Sequence, residues 1–142
     1  ELMKNGLVKN IGVSNFDIPR LKEAQEHSGH PIVCNQVHYS LLSREPEENG
    51  VLEYCQEKDV ILVAWRPIEQ GKLTTVTSPL MKEMTEKYQK TPPQIAINWL
   101  ISQENVVAIA KSTKINHLKE NLGALGWYME KEDVERLRKE VI

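Results

Sequence analysis

The chain has 142 residues, with 18 Lys and Arg residues against 20 Asp and Glu residues and a formal net charge of -2. This near balance gives no indication of a polybasic surface that binds nucleic acid or anionic membranes, so neither partner is expected. No apolar run reaches the length of about 18 residues that a transmembrane helix needs, and no signal peptide is visible. The length is sufficient for one domain with a hydrophobic core.

The cysteine and histidine content predicts neither a disulfide framework nor a metal centre. The two cysteines, Cys34 and Cys55, form no CxxC pair, and the four histidines are scattered along the chain. Isolated thiols are typical of a reduced protein of the cytosol, so we expect a cytoplasmic location.

The first residues have the pattern of a helix end. Residues 1–6 carry no initiating Met, and Gly6 suits the left-handed position that follows the last turn of a helix. We therefore expect the chain to be a fragment, or what remains of a longer protein.

Short apolar segments alternate with amphipathic segments along the chain. Asp17 and Thr91 are candidate helix N-caps, each with a proline in the first turn. Strands are predicted at residues 8–13, 32–37, 60–65 and 106–110. Helices are predicted at 17–27, 49–57, 79–89, 91–102, 115–122 and 130–141, and polar loops at 39–48 and 69–77.

This alternation predicts an α/β fold with parallel strands and right-handed crossovers. Four βα units make half of a (β/α)8 barrel of the TIM type, and they also suit a small open doubly wound sheet. In either case residues 1–142 are expected to form one partial domain.

Functional residues of parallel βα folds collect just after the carboxyl ends of the strands. Ser14 and Asn15 follow the first strand and suit either an amide group of a ligand or a turn that stabilises its own backbone. Asn35 and Gln36 interrupt the apolar second strand and need hydrogen-bond partners, either inside the protein or on a carboxamide ligand. His38 lies on the same face as Gln36 and is interpreted as structural more readily than as a base.

The last two strands are followed by an aromatic ring and by cations. Trp65 suits stacking on a heteroaromatic ring and Arg66 suits phosphate, with a core tryptophan and a solvated arginine as the alternative. After the fourth strand, a lysine and two hydroxyls precede a helix start, which is typical of an anion site or of a capped helix with solvated residues. This group and the helix face after it comprise Lys111, Ser112, Thr113, His117, Glu120 and Asn121.

The candidate binding features all lie at the carboxyl ends of the predicted strands, one after another along the chain. A carboxamide site, an aromatic platform and a phosphate site together describe an extended dinucleotide such as NAD(P)H. No GxGxxG segment follows any strand, so a Rossmann-type site has no support.

Four segments resemble the aldo-keto reductase superfamily, and the resemblance covers essentially the whole chain. They are residues 7–16 (LVKNIGVSNF), 35–39 (NQVHY), 64–68 (AWRPI) and 109–121 (IAKSTKINHLKEN). The first three resemble the family's fifth, sixth and seventh strands, and the last resembles its Lys-Ser motif and adenine-side helix. The resemblance therefore implies the C-terminal half of the barrel.

The resemblance assigns the nicotinamide end of a bound NADP. Ser14, Asn15 and Gln36 would hold the nicotinamide carboxamide, and Trp65 would replace the tyrosine that stacks on the nicotinamide ring. Arg66 replaces the usual serine, which would strengthen or reshape the contact with the pyrophosphate.

The resemblance also assigns the adenosine end. His117 stands where an arginine usually helps to hold the 2′-phosphate, so NAD is a possible cofactor, whereas Lys111 favours NADPH. Lys111, Ser112 and Thr113 would hold the 2′-phosphate. Glu120 and Asn121 would contact the adenine.

No catalytic residue is assigned within the chain. Family members transfer hydride with a tyrosine acid that is assisted by lysine, aspartate and histidine, and all four come from the first half of the barrel. Two further departures are His38, where glutamate is common, and Ala110, where proline is frequent. No tyrosine here matches the acid, and without it a newly formed alkoxide has no positioned proton donor; the tyrosines are Tyr39, Tyr54, Tyr88 and Tyr128.

The expected function is that of the cofactor-binding half of an NADP-dependent reductase, which acts on a small aldehyde or ketone as substrate. The alternative is a non-catalytic half-barrel that binds nucleotide or self-associates. Standing alone, such a half-barrel exposes unpaired strand edges, and self-association would bury them.

Overall fold

The computed structural model describes residues 1–75 and 78–140. The strands are β1 (Ile11–Ser14), β2 (Ile32–His38), β3 (Ile61–Trp65) and β4 (Val106–Ile109). The helices are α1 (Ile18–Ser28), α2 (Glu45–Glu48), α3 (Val51–Glu57), α4 (Pro79–Tyr88), α5 (Pro92–Ile101), α6 (Ile115–Leu122) and α7 (Lys131–Lys139). A kinked 3-10 segment spans Glu69–Thr74.

The four strands are parallel and lie in the order β1-β2-β3-β4. Each strand pairs with its neighbour in sequence, so every crossover advances in the same direction across the sheet. A doubly wound sheet reverses its strand order at a switch point, and that alternative is therefore wrong. Consecutive parallel strands form the wall of a barrel, which confirms the predicted four βα units.

The two faces of the sheet have different surroundings. Leu62 and Ala64 of β3 are fully buried under the helices, whereas Ile61, Val107 and Ile109 are 40%, 44% and 46% exposed. Because side chains alternate along a strand, the exposed set lies on the opposite face. The helices thus cover one face, and the other is the face that lines the inside of a closed barrel.

Both predicted N-caps are confirmed. The Asp17 side chain accepts a hydrogen bond from the backbone N–H of Arg20 over 2.9 Å at the start of α1. Thr91 forms a reciprocal capping box with Gln94 at the start of α5, where the Thr91 N–H donates to Gln94 Oε1 over 3.0 Å. Each cap satisfies backbone donors that a helix end leaves without partners.

Some predicted boundaries are wrong. β1 begins at Ile11 rather than at residue 8, and the predicted loop at 39–48 contains the short helix α2. In the predicted loop at 69–77, Glu69–Thr74 forms two short 3-10 turns separated by a kink at Gln70 and Gly71, which are not helical. Residues 76–77 of that loop, and residue 141 at the end of the last predicted helix, lie outside the described residues.

Asn49 precedes α3 instead of opening it. Gly50 is left-handed at the N-cap (φ 77°), and Asn49 Oδ1 accepts from the Val51 N–H over 3.1 Å. At the start of the chain, residues 2–6 form turns, and Gly6 takes the predicted left-handed conformation (φ 69°).

A buried carboxylate attaches α7 to α4. Asp133 is 3% exposed and accepts hydrogen bonds from Lys87 Nζ over 2.7 Å and from the Tyr88 hydroxyl. Burial by itself raises the pKa of Asp133, but the hydrogen bonds from Lys87 and Tyr88 outweigh it and hold the pKa below its usual range. The carboxylate therefore stabilises the fold in its ionised form.

We expect Asp133→Asn to lower the free energy of unfolding by about 1–3 kcal/mol near neutral pH. Because the folded pKa is depressed, this contribution is present above the unfolded aspartate pKa of about 3.9 and is lost as the pH falls through the lower folded value. Urea unfolding of both proteins at several pH values measures the difference, which should narrow in acid. The neighbouring exposed Glu132→Gln is the matched control, and an equal loss in that variant would contradict the assignment to Asp133.

Candidate functional site

A cleft of about 680 Å³ lies beyond the carboxyl ends of β3 and β4. Four predicted site residues line it, namely Trp65, Arg66, Lys111 and His117. The remaining lining residues, which sequence reasoning missed, are Pro67, Ile68, Gln70, Gly71, Thr74, Ile109 and Ala110.

The predicted carboxamide residues lie next to this cleft. Ser14 and Gln36 are register partners on β1 and β2, and Ser14 Oγ donates to the Gln36 carbonyl over 3.0 Å. The Asn15 N–H donates to the same carbonyl over 2.9 Å, and Asn15 is left-handed (φ 58°). Asn15 Oδ1 then accepts from Trp65 Nε1 over 3.3 Å, so β1, β2 and β3 are joined at their carboxyl ends.

Asn35 is satisfied inside the protein. It is fully buried, its Oδ1 accepts from the Phe16 N–H over 3.3 Å, and its Nδ2 donates to the Phe16 carbonyl over 2.8 Å. Asn35 therefore stabilises the turn after β1. Of the two predicted roles, the structure shows internal hydrogen bonding rather than a carboxamide ligand for this residue. Gln36, by contrast, is half-buried on the inner face of the sheet.

Trp65 is half-buried, with one neighbouring ring and one neighbouring cation. The His38 imidazole stacks on it, with ring centroids 4.4 Å apart and an interplanar angle of 15°. The Arg66 guanidinium carbon lies 5.0 Å from the ring centroid. His38 stacks on one face of the indole and the Arg66 guanidinium also lies over the ring, so a flat ligand ring could stack only on the face away from His38, where Arg66 leaves it open.

The segment after β3 has a strained backbone. Arg66, Glu69 and Gln70 are left-handed with φ values of 57°, 49° and 55°, and Gly71 follows with 95°. Left-handed positions cost of order 1–3 kcal/mol in residues other than glycine, and they concentrate where a loop clamps a ligand. Leu73 is fully buried and fixes the segment against the core.

The segment after β4 contains an exposed lysine beside two hydroxyl side chains, one of which is hydrogen-bonded to the backbone. Lys111 is exposed and lines the cleft. Ser112 Oγ accepts from the Lys114 N–H over 3.1 Å and lies 3.2 Å from the Lys114 carbonyl, so this hydroxyl stabilises the turn before α6. Thr113 is exposed, and α6 then begins at Ile115 without a side-chain cap.

Helix α6 carries the remaining predicted residues. His117 is exposed and lines the cleft, whereas Glu120 and Asn121 are half-buried one turn farther on and do not line it. The carboxyl end of the helix is held by α5, where Gln94 Nε2 donates to the Glu120 carbonyl and Asn98 Nδ2 donates to the Ala124 carbonyl, each over 2.9 Å.

The tyrosines lie away from the cleft. Tyr39 is fully buried and bonded to Glu47, and burial first, then the hydrogen bond to Glu47, raises its pKa far above the usual range. Tyr88 is bonded to Asp133, and Tyr128 is 94% exposed near α7. Tyr54 lies on α3, so no tyrosine is among the described residues that line the cleft.

Residues 1–75 and 78–140 contain neither a metal site nor a membrane span. No group of three or more His, Cys, Asp or Glu side chains could hold a metal ion there. In the same residues, no helix has the length and apolar character needed to span a bilayer.

Sequence and structure comparisons agree with this geometry. A model of the aldo/keto reductase family matches residues 1–141. Aldo-keto reductase family 1 member C13 of Mus musculus is 33% identical over 143 residues, which cover 93% of this chain and 43% of that protein.

Solved structures share the fold. The thermostable aldo-keto reductase Tm1743, in complex with the inhibitor epalrestat, has a TM-score of 0.90 and 40% identity, covering 96% of this chain and 50% of that one. An aldo/keto reductase from Klebsiella pneumoniae, in complex with NADP and acetate, has a TM-score of 0.82 and 27% identity, covering 96% of this chain and 49% of that one. The chain thus spans about half the length of the relatives it matches. It belongs to the aldo/keto reductase family, and its four βα units are half of an α/β barrel.

Proposed function

We propose that this chain is the C-terminal, cofactor-binding half of an NADP-dependent aldo-keto reductase that reduces aldehydes and ketones to alcohols. One observation carries the proposal: amide side chains, a flat ring and an exposed cation lie in one row along the strand ends. Asn15 is bonded to Trp65, and Trp65 shares the cleft with Lys111. The cleft volume is within the range of about 300–1,000 Å³ typical of ligand sites.

The nicotinamide end of the cofactor matches the hydrogen-bond donors and acceptors of Ser14 and Asn15 that are not used within the protein. Asn15 Oδ1 is used by Trp65, which leaves the Asn15 amide N–H groups for a carboxamide oxygen. Ser14 donates to the Gln36 carbonyl and keeps lone pairs for a carboxamide N–H. The face of Trp65 away from His38 would support the nicotinamide ring, with the Arg66 guanidinium moved from over the indole toward the pyrophosphate. The nicotinamide supplies the hydride when the cofactor is bound.

The phosphate groups of the cofactor match the two cationic side chains of the cleft in charge. Arg66 and Lys111 are exposed and both line the cleft. We assign the pyrophosphate to Arg66 and the 2′-phosphate to Lys111, Ser112 and Thr113, with His117 beside them. Glu120 and Asn121 are assigned to the adenine from outside the cleft lining. Lys111 favours NADPH, and NAD stays possible because no arginine stands at position 117.

Two structural neighbours support the choice of cofactor. The Klebsiella pneumoniae reductase was solved with NADP, and a mutant of Gox0644 was solved with NADPH at a TM-score of 0.84 to this chain. The substrate class, a small carbonyl compound, is likewise proposed from family membership. The proton donor for the alkoxide would come from residues outside this chain.

A second candidate function is self-association, which exposed apolar side chains favour. They lie on β4 and along one side of α6, and they comprise Val107, Ile109, Ile115, Leu118 and Leu122. Burial of such a surface drives association between protein chains. Sedimentation of the chain distinguishes the two states, since a well-folded monomer would contradict this candidate.

We also propose that residues 1–142 act as one partial domain in the cytoplasm. One hydrophobic core extends from Leu21 to Leu137. Cys34 and Cys55 are free thiols, and burial raises the pKa of the Cys55 thiol to about 11, so its reactive thiolate is scarce.

The cofactor proposal is tested at Trp65. We expect NADPH to quench tryptophan fluorescence of the chain and Trp65→Ala to weaken NADPH binding by about fivefold to tenfold, because the stacking surface is lost. Trp65→Phe keeps a flat ring and is the matched control, so its affinity by equilibrium dialysis should stay close to that of the unmodified chain. Equal affinity in the alanine variant and the unmodified chain would remove Trp65 from the site.

A further inference from the structure

We propose that His38 is a positioning residue that supports the Trp65 ring and, through Glu69, fixes the loop of residues 66–75 along the cleft. The link to NADPH rests on the proposed function, whereas the link to the loop stands on the geometry alone.

The contact between His38 and Trp65 is built into the sheet. The two residues are register partners at the carboxyl ends of β2 and β3, and their rings stack 4.4 Å apart at 15°. Stacking removes one face of the indole from solvent and opposes tilting of the ring. His38 therefore acts on any ligand through Trp65 rather than by touching it.

Both nitrogens of the His38 imidazole have partners. Nε2 lies 2.7 Å from Glu69 Oε1, and Nδ1 lies 3.2 Å from Ser43 Oγ. The same Glu69 oxygen accepts from Ser40 Oγ over 2.5 Å. The His38 and Glu69 side chains are 31% and 13% exposed, so water competes weakly for this pair.

Glu69 stands where the loop most needs support. Glu69 and Gln70 are consecutive left-handed residues other than glycine, with φ values of 49° and 55°. Such conformations persist only where the surrounding contacts enforce them. Two side-chain bonds to Glu69 meet this need, and Gln70, Gly71 and Thr74 beyond it line the cleft. The pair therefore couples the aromatic platform to the shape of the cleft wall.

The pair can be separated into its two contacts by substitution. His38→Phe keeps a ring against Trp65 and removes the bond to Glu69, whereas His38→Gln keeps a donor and removes the ring. Glu69→Gln keeps the shape of the acceptor and removes its charge. His30→Gln, at an exposed histidine before β2, is the matched control.

Hydrogen exchange of the 142-residue chain without NADPH measures the loop directly. We expect His38→Phe to speed exchange in residues 66–75 by about tenfold, with a smaller effect of Glu69→Gln. Exchange in β4 should stay unchanged, which distinguishes loop release from general destabilisation. His38→Gln should protect the loop from exchange better than His38→Phe does, because it keeps a donor for Glu69. It should, however, alter the fluorescence of Trp65, which is identified as the part of the tryptophan signal that is lost in Trp65→Phe.

NADPH affinity then tests the consequence for the cofactor. We expect His38→Phe to weaken NADPH binding by about fivefold to tenfold, and His30→Gln to leave it unchanged. Loop exchange equal to that of the unmodified chain in both His38→Phe and Glu69→Gln would overturn the proposal. If the loop loosens but the unmodified chain binds no NADPH, the positioning role of His38 is supported and the proposed function fails. If His38→Phe does not fold, the exchange of residues 66–75 in Glu69→Gln tests the proposal instead, and exchange equal to that of the unmodified chain would overturn it.

Discussion

Replacing Lys111 with alanine is expected to weaken NADPH binding by about 10–100-fold and to leave NADH binding nearly unchanged. The two cofactors differ only in the 2′-phosphate, which carries close to two negative charges at neutral pH. Lys111 is an exposed cation on the cleft wall. The Ser112 hydroxyl beside it is already engaged with the Lys114 backbone, so we expect the lysine to carry most of the discrimination.

Lys114→Ala is the matched control for this result. Lys114 is also an exposed lysine, three residues later, but it does not line the cleft. Equilibrium dialysis with NADPH and NADH at low and high salt measures both effects, and the loss in Lys111→Ala should shrink at high salt as the charges are screened. Equal losses for both cofactors, or equal losses in both variants, would contradict the assignment of the 2′-phosphate to Lys111.

The second large effect concerns catalysis. With saturating NADPH, the 142-residue chain alone is expected to reduce aldehydes about 100-fold to 10,000-fold more slowly than a complete family member, because a positioned acid contributes about that factor. The available tyrosines lie elsewhere: Tyr39 is bonded in the core, Tyr88 is bonded to Asp133, and Tyr128 is exposed near α7. The loss of NADPH absorbance with an aldehyde measures the rate.

Tyrosine variants serve as the control for that measurement. Tyr54→Phe and Tyr128→Phe change exposed or half-buried hydroxyls without disturbing the core, and neither should alter the residual rate. Turnover comparable to that of a complete family member would contradict the prediction. If one tyrosine variant then abolished that turnover, its hydroxyl would be identified as the acid.

Local signals in the sequence predicted much of the secondary structure. The caps at Asp17 and Thr91 and the helix Ile115–Leu122 are confirmed, because the hydrogen bonds that define them join residues close in sequence. The start of β1 and the helix α2 were missed, since short elements depend on partners elsewhere in the fold.

The candidate site was predicted in part for a similar reason. Parallel topology brings strand ends to one edge of the sheet, so a row containing Asn15, Trp65 and Lys111 follows from the positions of these residues in the sequence. The contribution of the loop after β3 to the cleft could not be predicted from the sequence, because Gln70, Gly71 and Thr74 belong to a polar segment without a periodic pattern. The placement of Glu120 and Asn121 outside the cleft lining depends on how α5 holds α6.

The sequence by itself determined the βα alternation, the capped helices and the chemistry at each strand end, since periodicity and capping act within a few residues. It left open a half-barrel and a doubly wound sheet, and only the tertiary structure decided between them through the order β1-β2-β3-β4. The contact of His38 with Glu69, 31 residues apart along the chain, was likewise decided by folding. Such contacts depend on how strands and loops pack, because no local interaction specifies which distant side chain completes a pair.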